Sequence, residues 1–458
     1  MALLSYPRRH PSIHLLILSA YALFLLPILD GLELGGDGLY REILRDETVL
    51  RLKELGKISD GEGYLERTFL SPASIRASAV IISWMKDAGL TTWIDQMGNI
   101  HGRFEPTNST KEALLIGSHM DTVIDAGMYD GALGIISAIS ALKVLKVTGR
   151  LQRLTRPVEV IAFSDEEGVR FQTTFLGSAA VAVQDVLKLN SLEGTANALG
   201  EVRYSPESVG SYVEVHIEQG PVLEALHYPL AAELVLTLET LCKEPNKFLT
   251  YDEECGCFTE ESLAGLVCTV GELLTWPSAS NVIPGQVNFT VDIRAMDDKV
   301  RETIVTSFSR LVLQRCDDRL VDCAVEQKHA AAATPCDAEL TSRLERATRS
   351  TISSMAAGVR RAGGETPVLM SGAGHDAMAM ARLTKVGMLF VRCRGGVSHS
   401  PEESVMDDDV WAAGLALVNF IDQNAVDAAA ATAAESAEAT TLEVRITSRY
   451  ILGKAVAS

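Results

Sequence analysis

Residues 113–122 read Ala113-Leu-Leu-Ile-Gly-Ser-His-Met-Asp-Thr122, a short apolar run that passes directly into polar residues. The run Val158-Glu-Val-Ile-Ala-Phe163 does the same and ends in Ser164-Asp-Glu-Glu-Gly168. Both runs have the length of buried strands, and residues 132–147 between them carry apolar side chains at helical spacing. A strand, helix, strand series predicts an α/β fold with a mostly parallel sheet, which binds ligands beyond the carboxyl ends of its strands. We expect both acidic segments at that edge.

Composition indicates an enzyme of two domains. The chain has 458 residues, of which 47% are hydrophobic, and a net charge of −19 from 41 basic and 60 acidic residues. That charge argues against nucleic acid and against an anionic membrane surface as partners. The eight cysteines are scattered over the second half without a CxxC pair. This spacing indicates neither a zinc knuckle nor a disulfide scaffold, and we predict free thiols.

Residues 1–31 are predicted to be a secretory signal peptide. Arg8 and Arg9 precede an apolar run from Ile13 to Leu29, and acidic residues begin only at Asp30. The run is short and interrupted by Pro27, so an uncleaved signal anchor is the alternative. Either form sends the chain into the endomembrane system. The chain does not end in a KDEL-type signal.

The remaining chain divides into a discontinuous catalytic domain with an insertion. Residues 32–221 and 333–424 are the predicted catalytic parts, 222–332 the inserted unit, and 425–458 a tail. The pattern of the insertion predicts a helix from Ala231 to Lys243, strands Leu266–Leu273 and Gln286–Ala295, a helix Lys299–Gln314 and a strand Val321–Lys328. This order, αββαβ, is a ferredoxin-like α+β unit that lacks its first strand. The catalytic pattern then resumes with a helix from Glu339, a strand Val386–Val391 and a helix Asp407–Asp422.

Three histidines are candidate metal ligands. His119, His216 and His399 each end or follow an apolar, strand-like run and lie among Gly, Ser, Glu or Pro residues. A single histidine is more often a structural residue, so the joint pattern carries the prediction. Glu218, two residues after His216, is also of a ligand type.

Acidic residues complete the predicted centre. Asp130, on the loop Gly127-Met-Tyr-Asp-Gly131, is placed to bridge two divalent metals. Glu166 and Glu167 are adjacent, so their side chains diverge, and one can bind metal while the other acts as general base. Asp121 is expected to hold the imidazole of His119 in one tautomer without binding metal itself. The whole pattern is that of a metallohydrolase.

Six motifs resemble one family. They are GSHMDT, YDGALG, FSDEEGVRF, VEVHIEQGP, SASNVIPGQVNFTVDIR and SGAGHDAMAM…RGGVSHSPEE, within roughly residues 45–423. Together they resemble the dinuclear-metal amidohydrolases that include carbamoyl-amino-acid hydrolases, ureidoglycolate amidohydrolases and allantoate deiminases. The resemblance implies a metallopeptidase-like catalytic domain with an inserted lid and dimerisation domain. It also implies a homodimer, two divalent metal ions and, for the plant members, Mn²⁺ and the endoplasmic reticulum.

The resemblance also implies roles for individual residues. His119, Asp130 and His216 would bind one metal, Asp130, Glu167 and His399 would bind the other, and Glu166 would be the base. Substrate would be contacted by Gln219, Asn281, Arg294 and His375. A guanidinium fork such as that of Arg294 matches a carboxylate. Because Arg294 ends a strand of the insertion, we expect it to reach the site on hinged closure.

The implied reaction is hydrolysis of a ureido group in a small-molecule ureide. In the branch that the motifs resemble most, allantoate is converted to ureidoglycine, carbon dioxide and ammonia. A ureidoglycolate or N-carbamoyl amino acid amidohydrolase is the alternative within the family.

The chain departs from the family pattern at two points. After Ala180 family members have a longer loop, and between Leu230 and Ala231 they carry the first strand of the insertion and a Gly-His-Ala-Gly motif that binds substrate. Loss of that strand leaves an unpaired edge and exposed apolar surface. The third hypothesis is therefore a splice-type variant that binds metal but is catalytically impaired.

Overall fold

The computed structural model describes residues 38–107, 109, 112–171, 174–182, 202–236, 267–278, 280–295, 297–327, 330–355 and 366–423. The predicted signal peptide and the predicted tail beyond residue 424 lie outside these ranges. Within them, a search for helices with the length and apolar character of a membrane span finds none.

A mixed sheet of nine strands forms the centre of the molecule, in the order β1-β2-β4-β3-β5-β11-β6-β10, with β9 beside β6. Four adjacent strands, β4, β3, β5 and β11, are parallel, as predicted, whereas β2 and β6 join the two flanks through antiparallel pairing. The bounds are β1 Thr91–Ile94, β2 Ile100–Phe104, β3 Ala113–His119, β4 Val158–Phe163, β5 Val209–Ile217, β6 Leu230–Leu236, β9 Thr334–Pro335, β10 Val368–Ser371 and β11 Lys385–Val391.

Helices cover both faces of this sheet. They are α1 Thr48–Leu55, α2 Pro72–Asp87, α3 Ala132–Val147, α4 Leu176–Ala182, α5 Val222–Leu226, α7 Ala338–Met355, α8 Asp376–Met380 and α9 over 407–423, while α6, Asp298–Arg319, lies in the inserted unit. Along β3, Leu114 and Ile116 enter one core and Ala113 and Leu115 the other. A strand buried on both faces needs apolar residues at every position, which explains the continuous run in the sequence.

The inserted unit contains an antiparallel ribbon, β7 (Val267–Trp276) paired with β8 (Gln286–Arg294), followed by α6. These elements agree with the predicted strands and helix. The predicted strand Val321–Lys328 is wrong, because residues 321–327 form no strand. The β8 end of the ribbon packs on α6 through a small core of Ile293, Ala295, Val300 and Ile304.

The helix predicted from Ala231 is also wrong in its described part. Leu230–Leu236 is a strand of the main sheet, where Ala231 pairs with Phe390 and Ala232 with Leu389 of β11, and β10 pairs on its other side. Leu230, Ala231 and Ala232 are fully buried. Backbone pairing with the two neighbouring strands has thus overridden the helix propensity of the Ala, Glu and Leu residues in this segment. Residues 237–243 lie outside the described ranges.

The free-thiol prediction fails at one pair. Cys316 and Cys323 form a disulfide with their Cα atoms 6.2 Å apart, whereas Cys393 is a free thiol, as predicted. Leu320, at the C-terminal end of α6, has φ 55° and turns the chain back beside the helix. This reversal brings together two cysteines whose spacing in sequence gave no signal.

Candidate metal centre and active site

The carboxyl ends of the four parallel strands carry the candidate ligands. His119 ends β3, His216 lies one residue before the end of β5, and Glu166 and Glu167 follow β4. His399 follows β11, after the short turn Arg394–Gly396. Neighbouring parallel strands place these ends side by side, so residues far apart in sequence meet at one edge.

Asp130 stands at the middle of the cluster. Its Oδ1 lies 2.9 Å from Nε2 of His216 and 3.3 Å from Nε2 of His119. Its loop enters α3 through Gly131, which has φ 62°, and a Cβ there would lie 2.4 Å from the carbonyl oxygen of His119. Glycine is therefore required for this close approach.

A second group shares the same carboxylate. Nε2 of His399 lies 3.4 Å from Oδ2 of Asp130 and 3.4 Å from Oε2 of Glu167. In each of the two groups, His119 with Asp130 and His216, and Asp130 with Glu167 and His399, the ligand atoms lie within 4.8 Å of one another. One carboxylate thus contributes an oxygen to each of two three-residue groups.

Glu166 and Glu167 both group with His119, where one oxygen of each carboxylate lies within 4.8 Å of the other ligand atoms. Of the two, Glu167 also groups with Asp130 and His399, while Glu166 is buried. Burial raises the pKa of Glu166 well above its usual range against the opposing charge of His119, and Glu167 adds to the rise. Burial and then Asp130 raise the pKa of Glu167 in the same way.

The donor set fits divalent metal. Carboxylates crowded into a buried site repel one another, and divalent cations would supply the positive charge that offsets this repulsion. Imidazole nitrogen and carboxylate oxygen are ligands that manganese, zinc and cobalt all accept. The residues present therefore suit two such ions, and they do not select among these metals.

The Asp121 side chain makes a different hydrogen bond from the predicted one to the imidazole of His119. The close partner of His119 Nδ1 is the main-chain oxygen of Asp121 at 3.1 Å, while the carboxylate oxygen is 3.7 Å away. The carboxylate instead accepts hydrogen bonds from the backbone N–H groups of Glu166 at 3.0 Å and Glu167 at 3.2 Å. Its side chain therefore fixes the loop that carries the acidic pair.

Gln219 lies against the ligands. Its Nε2 donates to Asp130 Oδ2 at 3.1 Å and to Ser398 Oγ at 2.6 Å, and Ser398 Oγ donates to the same Asp130 oxygen at 3.0 Å. Glu218, the neighbouring ligand-type residue, accepts from the N–H groups of Val222 and Leu223, both at 2.9 Å, and so caps α5. Glu218 is thus a capping residue in this structure.

His375 is buried behind His216. The two ring centroids are 4.4 Å apart with an edge-on orientation, and His375 Nε2 lies 2.9 Å from Ser371 Oγ. Burial, with the nearby charge of His216, holds the pKa of His375 well below its usual range, so the ring is neutral. Within the described part of the chain, its Nδ1 has no hydrogen-bond partner.

Arg294 of the inserted unit contacts the loop that leads to His375. Its Nη1 donates to the carbonyl oxygen of Gly372, at 3.1 Å, in the Gly-rich loop that leads to His375. Asn281 is exposed in the connection between β7 and β8. Of the four predicted substrate contacts, Gln219 and His375 lie at the cluster, Arg294 lies beside its loop, and Asn281 is out on the ribbon.

Two buried residues escaped the sequence analysis. Glu403 Oε1 accepts from the backbone N–H groups of Tyr129 at 2.7 Å and Asp130 at 3.1 Å. Its only signal was its place four residues after His399, in a motif read for the histidine alone.

Asn99 is the second. Its Oδ1 accepts from the N–H of Ser164 at 3.0 Å, and its Nδ2 donates to the carbonyl oxygen of Gly177 at 3.1 Å. Ser164 and Gly177 are the two ends of the loop that carries Glu166 and Glu167. The N–H of Gly177 also donates to the carbonyl oxygen of Ser164 at 3.0 Å. Nothing in the local sequence around Asn99 indicated this role.

Comparison with known proteins places the chain among hydrolases. A family model described as Peptidase family M20/M25/M40 matches residues 115–423. "Probable allantoate deiminase" of Oryza sativa subsp. japonica is 89% identical, over 95% of this chain and 99% of the relative. "Allantoate deiminase" of Arabidopsis thaliana is 56% identical, over 84% of this chain and 83% of the relative.

The rice alignment also reveals an internal difference. It spans 488 positions but covers 95% of this 458-residue chain, which is about 435 residues. About 50 positions of the alignment therefore have no residue of this chain opposite them.

Solved structures share the fold. The crystal structure of AtUAH in complex with glyoxylate superposes with a TM-score of 0.66 at 24% identity, covering 83% of this chain and 97% of that chain. A Bacillus subtilis protein, YXEP, described as a dinuclear metal binding peptidase from the M20 family, gives 0.50 at 11% identity, covering 82% and 97%. With the family match over most of the chain, these findings show that this protein belongs to the peptidase family M20/M25/M40.

Proposed function

We propose that this chain is a metal-dependent allantoate deiminase, which hydrolyses one ureido group of allantoate to ureidoglycine, carbon dioxide and ammonia. The observation that carries the proposal is the buried Asp130, shared between a buried group of metal-ligand type and a second group that includes the exposed His399, in a chain 89% identical to a probable allantoate deiminase. The reaction breaks a C–N bond by addition of water, which is chemistry that a dinuclear centre supports.

His119, Asp130 and His216 would hold one metal, and Asp130, Glu167 and His399 the other. Bound there, two divalent cations would polarise the ureido carbonyl group and lower the pKa of the attacking water. We propose Mn²⁺ as the resident metal, on the family resemblance. Metal analysis of protein purified without added metal, followed by reloading with Mn²⁺, Zn²⁺ or Co²⁺, distinguishes the candidates.

Glu166 would be the general base. Its carboxylate takes a proton from the attacking water and gives it to the departing nitrogen, so it must hold a proton between the two steps. Burial raises its pKa, which favours the protonated form that the second step needs. Asp121 serves this step by fixing the backbone N–H groups of Glu166 and Glu167.

Four residues are proposed substrate contacts. The Arg294 guanidinium would pair with the allantoate carboxylate, because its planar fork matches the two oxygens. The neutral ring of His375 has a buried Nδ1 that can hydrogen bond with a ureido group. Gln219 and Asn281 would contact the rest of the molecule, Gln219 after a change of its present bonds to Asp130 and Ser398 and Asn281 on movement of the ribbon.

Ammonia release tests the substrate. We expect the Mn²⁺-loaded protein to release ammonia from allantoate in preference to ureidoglycolate and N-carbamoyl amino acids. Preference for one of the latter two would replace the proposal with a sibling amidohydrolase.

A catalytically impaired form is the second candidate. About 50 alignment positions are absent from this chain, and the ribbon leaves large apolar side chains in solvent, with Trp276 71% and Leu273 64% exposed. If this candidate holds, the protein binds metal but turns allantoate over slowly. We expect a chimera with the rice relative's segment inserted between Leu230 and Ala231 to gain turnover. Turnover by the present chain equal to that of the rice relative would exclude impairment.

We also propose entry into the endoplasmic reticulum through the signal peptide at residues 1–31. The Cys316–Cys323 disulfide supports an oxidising compartment, since such bonds are rare in the cytosol. A fluorescent protein fused after residue 31 should be translocated into microsomes, and a cytosolic reporter would refute the proposal.

A homodimer is proposed from the family alone. Light scattering of the purified chain and of the rice-segment chimera tests it. A monomeric chimera would exclude it.

A further inference from the structure

We propose that Glu403 is a positioning residue that fixes the shared carboxylate Asp130 relative to His399. The inference rests on the metal centre of the proposed function, and it assigns to Glu403 no contact with substrate or metal. The side chain is 6% exposed and reaches the centre from the segment after β11. It acts on Asp130 through the backbone of the Asp130 loop.

Two hydrogen bonds define the contact. Oε1 of Glu403 accepts from the N–H groups of the consecutive residues Tyr129 and Asp130, at 2.7 and 3.1 Å. Two hydrogen bonds from adjacent residues to one carboxyl oxygen fix both the position and the direction of the backbone. The Asp130 carboxylate is two rotatable bonds beyond that backbone, so the position of the backbone limits where its oxygens can lie.

The loop is shaped to enclose this carboxylate. A Cβ built on Gly127 would lie 2.3 Å from both Cδ and Oε1 of Glu403, closer than any real side chain permits. Residues 127–130 thus wrap around the Glu403 side chain, and only glycine at position 127 leaves room for it. The fit indicates that loop and side chain occupy one fixed arrangement.

Glu403 also belongs to the segment of His399. Its own N–H donates to the carbonyl oxygen of Ser400 at 3.1 Å, which makes a turn that begins one residue after His399. The Asp130 loop follows β3 and the His399 segment follows β11, and β5 separates these two strands in the sheet. The sheet therefore does not pair the two segments directly, and Glu403 spans the gap between them.

The second oxygen shows what the arrangement costs. Oε2 of Glu403 is buried and, among the described residues, has no hydrogen-bond partner. A buried unpaired carboxylate oxygen is unfavourable for folding alone. The cost is understandable if the residue is kept to hold the metal centre, where partners behind the ligands commonly change metal affinity 10- to 100-fold.

Metal affinity measured without substrate tests the inference. The probe is Mn²⁺ titrated into metal-free full-length protein, with the dissociation constants and stoichiometry read by calorimetry. We expect Glu403→Ala to weaken Mn²⁺ binding about 10- to 100-fold. Glu403→Gln should stay within a few-fold of the parent, because its amide oxygen can still accept both N–H groups. Glu402→Ala, which removes an exposed neighbouring carboxylate, is the matched control and should leave binding unchanged.

Turnover gives an independent readout. If allantoate is hydrolysed, Glu403→Ala should lose kcat at low Mn²⁺ and recover it at saturating Mn²⁺, with KM little changed. Absence of turnover in the parent would count against the proposed function, while the Mn²⁺ titration would still decide the role of Glu403.

A second variant guards against misfolding. Gly127→Ala keeps Glu403 but forces its side chain away, so it should weaken Mn²⁺ binding as Glu403→Ala does. Circular dichroism of each metal-free variant verifies the fold. The inference is overturned if folded Glu403→Ala binds two Mn²⁺ with parental affinity, or if Glu403→Gln is as weak as Glu403→Ala.

Discussion

At the scale of single residues, neighbours in sequence serve different tasks. Glu166 and Glu167 share one turn, yet Glu167 lies 3.4 Å from His399 while Glu166 is buried on the side of His119. The carboxylate of Asp121 holds both through their N–H groups, so the turn cannot rotate to exchange them. The proposed division into a ligand, Glu167, and a base, Glu166, would therefore depend on the backbone that carries the two side chains.

Replacement of the base separates chemistry from metal binding. We expect Glu166→Gln to lower kcat on allantoate by roughly 10²- to 10⁴-fold, the usual contribution of a general base. Because Glu166 belongs to neither of the two groups that share Asp130, Mn²⁺ affinity should change by only a few-fold. Ammonia release and Mn²⁺ titration measure the two effects. Glu54→Gln, at an exposed position, is the control, and a kcat within tenfold of the parent would contradict the assigned role.

At the scale of elements, hydrogen bonds join the two ends of the loop from Ser164 to Gly177. Asn99, just before β2, bonds both ends of this loop and also donates to Asp95 Oδ2 at 2.8 Å. The loop backbone adds a bond from Phe175 N–H to the Glu166 carbonyl at 3.1 Å. Asn99, beside a strand at the flank of the sheet, thus fixes the two ends of the loop that carries Glu166 and Glu167.

Loss of the hydrogen bonds from Asn99 to the two loop ends should lower kcat more than it changes KM. We expect Asn99→Ala to lower kcat on allantoate about tenfold with KM little changed, because Glu166 loses its fixed position. The lost buried hydrogen bonds should also cost about 1–3 kcal/mol of unfolding free energy. Steady-state kinetics and urea denaturation measure these effects. Ser164→Ala, which removes only one hydroxyl from the same contact, should be milder, and equal effects in the two variants would speak against Asn99 as the clamp.

A buried histidine between two carboxylates supports the same flank. His101 of β2 lies between Asp95 (Nε2 to Oδ2, 3.2 Å) and Glu159 (Nδ1 to Oε1, 2.8 Å), and Trp93 stacks on its ring. Glu159 also accepts from Tyr204 OH at 2.6 Å and pairs with Arg103 at 3.1 Å. Burial opposes protonation, but the hydrogen bonds to Asp95 and Glu159 prevail and raise the pKa of His101.

This pKa gives a pH dependence of stability. Because the pKa of His101 is higher in the folded than in the unfolded state, its contribution is complete below about pH 6.5, the unfolded value. The contribution is lost as pH rises through the folded-state value. We therefore expect the unfolding free energy of the parent, minus that of His101→Gln, to fall above pH 6.5 in urea titrations. A difference independent of pH from 6 to 9 would show that His101 is neutral in the fold.

At the scale of the whole molecule, the centre lies where two cores meet. The cores on the two faces of the sheet hold β3, β4, β5 and β11 in place, and the metal-ligand groups stand at their common edge. Acidic side chains crowd this edge, so the folded state without cations carries a repulsive cost that the unfolded chain lacks. The fold and the proposed metals are therefore coupled.

Removal of metal should lower thermal stability. Ligands that bind only the folded state stabilise it by about 2.7 kcal/mol at a concentration of 100 times Kd. We expect Tm in scanning fluorimetry to fall on addition of EDTA and to return with excess Mn²⁺. His216→Ala, which removes one ligand, should have a smaller EDTA response than the parent. An unchanged Tm on chelation of the parent would argue against a structural coupling.

The α/β class, the buried strands and the ligand types were predictable from sequence, because they depend on local patterns. Short apolar runs such as Val158–Phe163 have the length and composition of strands in a covered sheet, and the polar residues at their ends follow from chain order. The six motifs likewise indicate the family from the sequence alone. Local chemistry was sufficient for these inferences.

Other features depended on contacts between distant segments. The strand Leu230–Leu236 is set by pairing with β10 and β11, against its helical composition. The clamps of Glu403 on Asp130 and of Asn99 on the Ser164–Gly177 loop join residues 273 and 65 positions apart in the chain. The sequence by itself determined which residues could bind metal and in which family, through residue type and local periodicity. Only the tertiary structure decided which backbone holds each ligand in place, because hydrogen bonds across the fold leave no periodic trace in the chain.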